Sequence, residues 1–351
     1  MVFMTGNQYT FDTSSENELF RVKEIITEAL FESNWFVSCG RIAEGILISI
    51  DKYQIGIVGT IFGILPQIYR KLSEKLNISD PRGYGLHDFV PYPLGITNMA
   101  ANSNLRGNIL EVFKVSSRKP IRVFFKLSNT PVMSSSMPSR YTLPALTGGS
   151  SVRASGSESH GTLSAVFNSQ FGPVVLTNQH VVYTSSKGDA IEYNLNNSWP
   201  QIADYEDGIL ANIIVNGREV GLDAAISRLN ANIDPTRCVI QSIGSVKNFD
   251  RPVLGEQVQK FGATSSLTHG SVSSLDVDVK TLINGKKTLL RNQIQIDAAQ
   301  GDVFQMKGDS GSLLLNTNTV VLGILHSNAN RDATAYASPW SAIESAFGLT
   351  F

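Results

Sequence analysis

Apolar residues first recur at helical spacing and then fall into short strand-like runs. Ser15 and Glu18 have capping-box spacing, and positions 19, 22, 25, 26, 29 and 30 behind them are apolar, which predicts an amphipathic helix. Residues 46–50 and 53–57 are rich in β-branched side chains and predict a hairpin, while 65–76 predict a second helix. Residues 109–115 and 121–127 predict two more strands. We therefore expect residues 1–130 to form a small α+β domain, with a regulatory role.

The composition shifts sharply to Ser, Pro, Gly and Thr over residues 131–151, which predicts a linker. Pro339 stands where a first helical residue is expected, and Ser341 with Glu344 forms a second capping box. An all-β sandwich or barrel pair with a C-terminal helix is therefore predicted for residues 152–351. Its short strand-like runs are 162–167, 174–177, 209–215, 258–261, 271–279, 293–296, 312–315 and 320–325.

Composition and charge limit the kinds of partner and compartment. The 351 residues carry 29 basic and 30 acidic side chains without long runs of one sign, so neither nucleic acid nor an anionic membrane is expected as a partner. Cys39 and Cys238 fall in different predicted domains, which argues against a disulfide scaffold. Residues 1–16 lack the features of a secretory signal, and 45–65 are too interrupted to span a bilayer. We expect a cytoplasmic protein that binds protein or peptide; its oligomeric state is not indicated.

A glycine-flanked serine precedes an apolar run in Gly308-Asp309-Ser310-Gly311-Ser312. A serine nucleophile requires a tight turn that exposes its oxygen and directs backbone N–H groups at a developing oxyanion. Gly308 and Ser310 are the candidates for those N–H groups. A purely structural Gly-Ser turn would have the same sequence.

His180 follows the apolar run 174–177 and a polar break, at the end of a predicted strand. A general base must be held rigidly and still reach the substrate, and a strand end meets both needs. The other histidines lie in Gly- or Ser-rich segments (His87, His160 and His269) or end another strand (His326). A structural histidine is the alternative.

Asp223 is a lone carboxylate inside the apolar run 221–226. An unpaired buried charge costs several kcal/mol, so this aspartate should have a fixed partner, and the N–H of a catalytic imidazole is one. The alternative is an aspartate that caps a neighbouring turn. Asp204 and Asp207 compete for the role, but their polar surroundings predict a solvated loop.

Together these segments resemble the trypsin-like peptidases. The order His180, Asp223, Ser310 in Leu-Thr-Asn-Gln-His, Leu-Asp-Ala-Ala-Ile and Gly-Asp-Ser-Gly-Ser is similar to that superfamily. Residues 260–272 and 335–340 resemble more narrowly the intracellular group of plant narrow-leaf proteases and bacterial relatives. The resemblance covers residues 150–351 and implies a chymotrypsin-like double six-stranded barrel.

The resemblance also implies a mechanism and a substrate pocket. His180 would act as base for Ser310, Asp223 would orient the histidine, and neither a metal nor an organic cofactor would be needed. Phe304, His326 and Asn328 would line the pocket for the side chain before the cleaved bond, with Glu, Gln or an apolar residue preferred over Lys or Arg. No segment similar to Ile-Val-Gly-Gly precedes the β domain to pair with Asp309, so activation by simple cleavage is not expected.

Two functions remain open from the sequence. The first is a regulated serine endopeptidase whose N-terminal domain recognises a target or an activating protein partner. The second is a catalytically silent peptidase fold that serves as a binding or scaffolding module. The complete set of three triad residues favours the first.

Overall fold

A computed structural model gives the fold for most of the chain. It describes residues 13–33, 36–42, 45–51, 108–111, 122–128, 131–133, 146–195, 197–233, 238–283, 286–299, 302–329 and 332–351. These residues form a mostly β structure with one helix near each end. Within them, neither helix combines the length and apolar character needed to cross a bilayer. Cys39 and Cys238 are both buried, and neither forms a disulfide.

The predicted N-terminal helix is confirmed, but the predicted hairpin is wrong in its partner. The strand that begins at Gly45 pairs antiparallel with a strand over Phe36–Ile42 that the hydrophobic pattern did not reveal. It also pairs in parallel with the strand over Arg122–Ser128. The predicted strand 53–57 and helix 65–76 lie outside the described residues. The elements are α1 (Thr13–Leu30), β1 (Phe36–Ile42), β2 (Gly45–Asp51), β3 (Asn108–Glu111), β4 (Arg122–Ser128) and β5 (Val132–Met133).

A first large sheet carries the histidine and the aspartate. Its strands are β6 (Ser151–Ala154), β7 (Gly161–Thr162), β8 (Val166–Ser169), β9 (Gly172–Thr177), β10 (Ala190–Tyr193), β11 (Gln201–Val215) and β12 (Arg218–Leu229). They pair in the order β7-β6-β10-β11-β12-β9-β8. The prediction of a loop around Asp204 and Asp207 is wrong, because both lie in β11 and pair with β12. The two aspartates are more exposed than Tyr205 and Glu206 between them, and a β-bulge lies between Tyr205 and Asp207.

A second sheet carries the serine. A separate two-stranded ribbon pairs β13 (Val239–Ile240) with β14 (Gly244–Ser245). Hydrogen bonds run from β16 through β19, β20, β21, β18 and β17 and return to β16. The remaining strands are β15 (Asn248–Phe249), β16 (Gln257–Gly262), β17 (Ser266–Ile283), β18 (Lys286–Ala298), β19 (Leu313–Asn316), β20 (Val320–Ala329) and β21 (Thr334–Pro339).

The N-terminal elements share this second sheet. β1 pairs antiparallel with β17, with Ser38 opposite Val279 and Cys39 opposite Asp278. β5 pairs with both β17 and β20. The boundary predicted at residues 131–151 therefore does not separate two sheets, and the division into domains stays a prediction.

The largest buried cluster joins the two sheets. It packs Leu176 and Leu222 of the first sheet against Leu313 and Ile324 of the second, with Trp340 of the C-terminal helix among them. This helix, α2 (Trp340–Phe347), confirms the prediction, although Pro339 is its N-cap and no side chain caps it. Burial of these apolar side chains fixes how the sheets meet, and the candidate site lies along this contact.

Candidate active site

His180 lies in a single turn of 3-10 helix, Gln179–Val181, directly after β9. Its backbone N–H donates to Asp223 Oδ1 at 3.1 Å, and its ring Nδ1 lies 2.5 Å from Asp223 Oδ2. A carboxylate only accepts hydrogen bonds, so Nδ1 carries the proton of the neutral ring. Nε2 then holds the lone pair, which is the form that a general base requires.

Asp223 sits in the middle of β12 with no exposed surface. Neighbouring polar groups fix its main chain. Asn178 Nδ2 donates to the Asp223 carbonyl oxygen at 2.6 Å, and the Asp223 N–H donates to Ser338 Oγ at 3.3 Å. The carboxylate that sequence reasoning singled out thus has the imidazole partner expected of it.

Ser310 lies in a tight turn just before β19. Its carbonyl accepts from Thr162 N–H at 2.7 Å, which ties the turn to the first sheet. Gly308 and Gly311 have φ values of +100° and +98°. A Cβ on Gly311 would lie 2.1 Å from the Thr162 carbonyl oxygen, so only glycine fits there.

Ser310 Oγ and His180 Nε2 are not hydrogen bonded to each other, as they would be in an assembled catalytic triad. Ser310 Oγ donates to the His326 carbonyl at 3.1 Å. His180 Nε2 is buried and has no hydrogen-bond partner among the described residues. Ser310 is 0% exposed, so a substrate reaches it only after a local movement. Catalytic hydrogen bonds are often unformed before substrate binds, so this geometry is compatible with a catalytic pair.

A buried ion pair holds the residue before the serine. Asp309 Oδ2 lies 3.0 Å from Lys260 Nζ on β16, and neither side chain is exposed. Oδ1 also accepts from the N–H groups of Thr264 and Ser265, at 2.9 and 3.0 Å, and Oδ2 from Met306 N–H at 2.8 Å. Burial lowers the pKa of Lys260, and the Asp309 carboxylate opposes that shift. The cation that pairs with Asp309 is thus an internal lysine, and no new N-terminus is needed for that role.

Comparison with known proteins decides the family. A family model described as Trypsin matches residues 148–343, more than half of the chain. The chain belongs to the trypsin family. It is therefore placed among the serine endopeptidases. A search of curated proteins gives no match.

Several solved structures are similar to this trypsin-family chain. The chymotrypsin of Cellulomonas bogoriensis is 19% identical with a TM-score of 0.44, over 59% of this chain and 98% of that one. The Nocardiopsis protease is 16% identical with a TM-score of 0.44, over 58% and 97%. A glutamic acid-specific serine protease, described as using a histidine triad in substrate binding, is 19% identical with a TM-score of 0.45, over 58% and 98%.

The three expected pocket residues of this trypsin-family chain are largely enclosed. Phe304 and His326 are both 0% exposed, and Phe304 packs in the apolar cluster inside the second sheet. Asn328 Nδ2 donates to the Gln305 carbonyl at 2.8 Å and to Asp332 Oδ1 at 2.7 Å. Contact of Phe304 or His326 with a substrate side chain would require movement, and their role in specificity stays a prediction.

The His326 side chain is instead buried in the interior, near Asp223 and His180. Its Nε2 is 2.9 Å from Gln293 Oε1. Burial lowers the pKa of His326 to about 4; the charge of Asp223 opposes this shift, whereas His180 adds to it. His326 is therefore a neutral interior residue near pH 7.

Sequence reasoning missed Lys260, although a signal was present. Lys260 is the only charge in the predicted strand 258–261, where it lies beside Gln259 and between the apolar residues Val258 and Phe261. Two opposite charges, each the only one in a predicted strand, are candidates for an ion pair. No comparable signal marks Asn178 or Ser338, whose roles depend on how distant strands meet.

Proposed function

We propose that this serine endopeptidase cleaves peptide bonds with Ser310 as nucleophile, His180 as general base and Asp223 as the orienting carboxylate. The observation that carries the proposal is the contact between His180 Nδ1 and Asp223 Oδ2. It leaves the Nε2 lone pair available to take the proton when Ser310 Oγ attacks the carbonyl carbon. The same proton then passes to the leaving amine, and water hydrolyses the acyl-enzyme.

The N–H groups of Gly308 and Ser310 form the oxyanion hole in this proposal. The left-handed conformation of Gly308 and the anchored carboxylate of Asp309 support it, because together they fix the course of the turn. Fixed donors need no reorganisation as charge develops on the substrate oxygen, which is where such donors stabilise most. The two large sheets correspond in this proposal to the two barrels of the chymotrypsin-like type.

Regulation by the N-terminal part belongs to the same proposal. Lys23 of α1 is 1% exposed, and its Nζ lies 2.9 Å from Asp278 Oδ1 on β17 and 2.8 Å from Asn292 Oδ1 on β18. Lys280 Nζ donates to the carbonyls of Phe31 and Ser33 just after the helix, at 2.9 and 2.8 Å. A change in how α1 docks therefore acts directly on two strands of the second sheet.

One observation favours the second candidate, a silent peptidase fold that binds partners. Ser310 is enclosed and its hydroxyl donates to the His326 carbonyl. A protein that never rotates this hydroxyl toward His180 would have no activated nucleophile.

Fluorophosphonate labelling read by intact mass separates the two candidates, because the probe reacts only with an activated serine. We expect the wild-type protein to take up one adduct and Ser310→Ala and His180→Ala to take up none. Equal labelling of Ser310→Ala and wild type would refute the assignment of the nucleophile. A wild-type protein that remains unlabelled, alone and with candidate partners, would favour the silent fold.

A further inference from the structure

One buried amide on β18, that of Gln293, joins three strands behind the histidine–aspartate pair. Its Nε2 donates to the carbonyls of Gly221 at 2.8 Å and Arg291 at 2.7 Å. Its Oε1 lies 2.9 Å from His326 Nε2 and 3.1 Å from Ser338 Oγ. Two carbonyl partners require two N–H donors, so the orientation of the amide is determined by its contacts.

Every hydrogen-bonding position of this amide is used, and Gln293 is 0% exposed. Because Oε1 only accepts, His326 must carry its proton on Nε2. His326 Nδ1 is then unprotonated, and it is buried without a partner among the described residues. A fully satisfied buried amide is rigid, since any rotation would leave several polar groups unpaired.

The partners of Gln293 are the groups that hold the proposed triad. Gly221 precedes Asp223 by two residues on β12, and Ser338 Oγ accepts the Asp223 N–H. The carbonyl of His326 accepts the hydrogen of Ser310 Oγ. Gln293 therefore contacts residues that hydrogen bond to or adjoin Asp223 and Ser310, without contacting either of these side chains itself.

We propose that Gln293 is a positioning residue for the peptidase reaction: through Gly221 and Ser338 it sets Asp223 against His180. The inference rests on the proposed function, because it assigns a role relative to that triad. Gln293 does not contact the reacting atoms and acts only through its partners.

The test compares two methionine variants on the same strand. Gln293→Met removes all four hydrogen bonds while the length of the side chain stays nearly constant. Gln295→Met is the matched control, because Gln295 is 1% exposed on β18 and its Nε2 donates to Ser273 Oγ at 3.1 Å, away from the site. We expect Gln293→Met to be labelled by fluorophosphonate about tenfold to a hundredfold more slowly than the control, because misplaced catalytic groups cost rates of that order.

Long-range 1H–15N spectra of the histidine rings supply a readout that loss of stability alone does not move. In the wild type and in Gln295→Met, we expect His180 to carry its proton only on Nδ1 and His326 only on Nε2. In Gln293→Met, we expect a mixture of tautomers at one or both rings. Signals are assigned by their loss in His180→Ala.

Unchanged tautomers in Gln293→Met, or equal slowing of labelling in the two methionine variants, would overturn the inference. If Gln293→Met does not fold, Ser338→Ala replaces it, because it removes only the link between Gln293 Oε1 and the Asp223 N–H. We then expect labelling at least about threefold slower than the control, because the variant removes the two hydrogen bonds that connect Gln293 to the Asp223 main chain, and an unchanged rate would refute the role. If the wild-type protein is not labelled, alone or with candidate partners, the proposed function fails, whereas the ring tautomers still test Gln293.

Discussion

Replacing Lys260 by methionine tests what holds the serine turn in place. Lys260 and Asp309 form a buried ion pair, and removal of one partner of such a pair costs about 3–5 kcal/mol. Asp309 keeps its hydrogen bonds from the N–H groups of Thr264, Ser265 and Met306 and from the Ser265 hydroxyl. We therefore expect the low end of that range, about 3 kcal/mol, which is about a hundredfold in the folding equilibrium.

The assay is urea unfolding at pH 7 together with the rate of fluorophosphonate labelling. Lys280→Met is the matched control: Lys280 is also a buried lysine of the second sheet, but its Nζ binds the two carbonyls of Phe31 and Ser33. Loss of its hydrogen bonds to these carbonyls should cost about 1–2 kcal/mol and slow labelling less than Lys260→Met does. If Lys260→Met is no less stable than Lys280→Met and labels as fast as wild type, the ion pair does not organise the turn.

Single contacts at three other positions can be tested in a similar way. Gly311→Ala should lower the free energy of unfolding by about 3 kcal/mol and abolish labelling, because its φ is +98° and a Cβ would meet the Thr162 carbonyl; wild-type stability in urea would contradict this. The pKa of His326 in the folded protein is about 4, against an ordinary value of 6.5. The free energy of unfolding should therefore fall by about 3 kcal/mol as the pH is lowered from above 6.5 to 4. Urea unfolding at both pH values should show this loss in the wild type and not in His326→Gln. Lys23→Met should speed amide hydrogen exchange in α1 about a hundredfold, because it breaks a buried pair with Asp278; unchanged protection would show that this contact does not hold the helix.

Residues that interrupt an apolar run were predictable from the sequence, whereas residues that depend on the meeting of distant strands were not. Asp223 stands out locally because a charge in a buried strand needs a partner. Gln293 does not, because β18 alternates polar and apolar residues there and Gln295 has the same local setting. Only the side-chain contacts of β18 with β12, β20 and β21 distinguish the two glutamines.

The same reasoning explains which elements were missed. The strand β1 contains Ser38, Cys39 and Gly40 in its centre and is buried along most of its length, so it shows no alternation of polar and apolar positions. Its partner β17 lies far away in the sequence, and no local pattern encodes that pairing. By contrast, α1 and α2 have a helical period that depends only on near neighbours.

The pairing of β1 with β17 also bears on how this protein tolerates being cut. β1 pairs with β17 between Leu275 and Val279. Removal of β1 and β2 would therefore leave a row of unpaired N–H and C=O groups along that stretch of β17. Such an exposed edge is a template for pairing with other chains. A fragment trimmed to the part that matches the trypsin family would therefore be prone to aggregate through β17, even if every residue of the candidate site were retained.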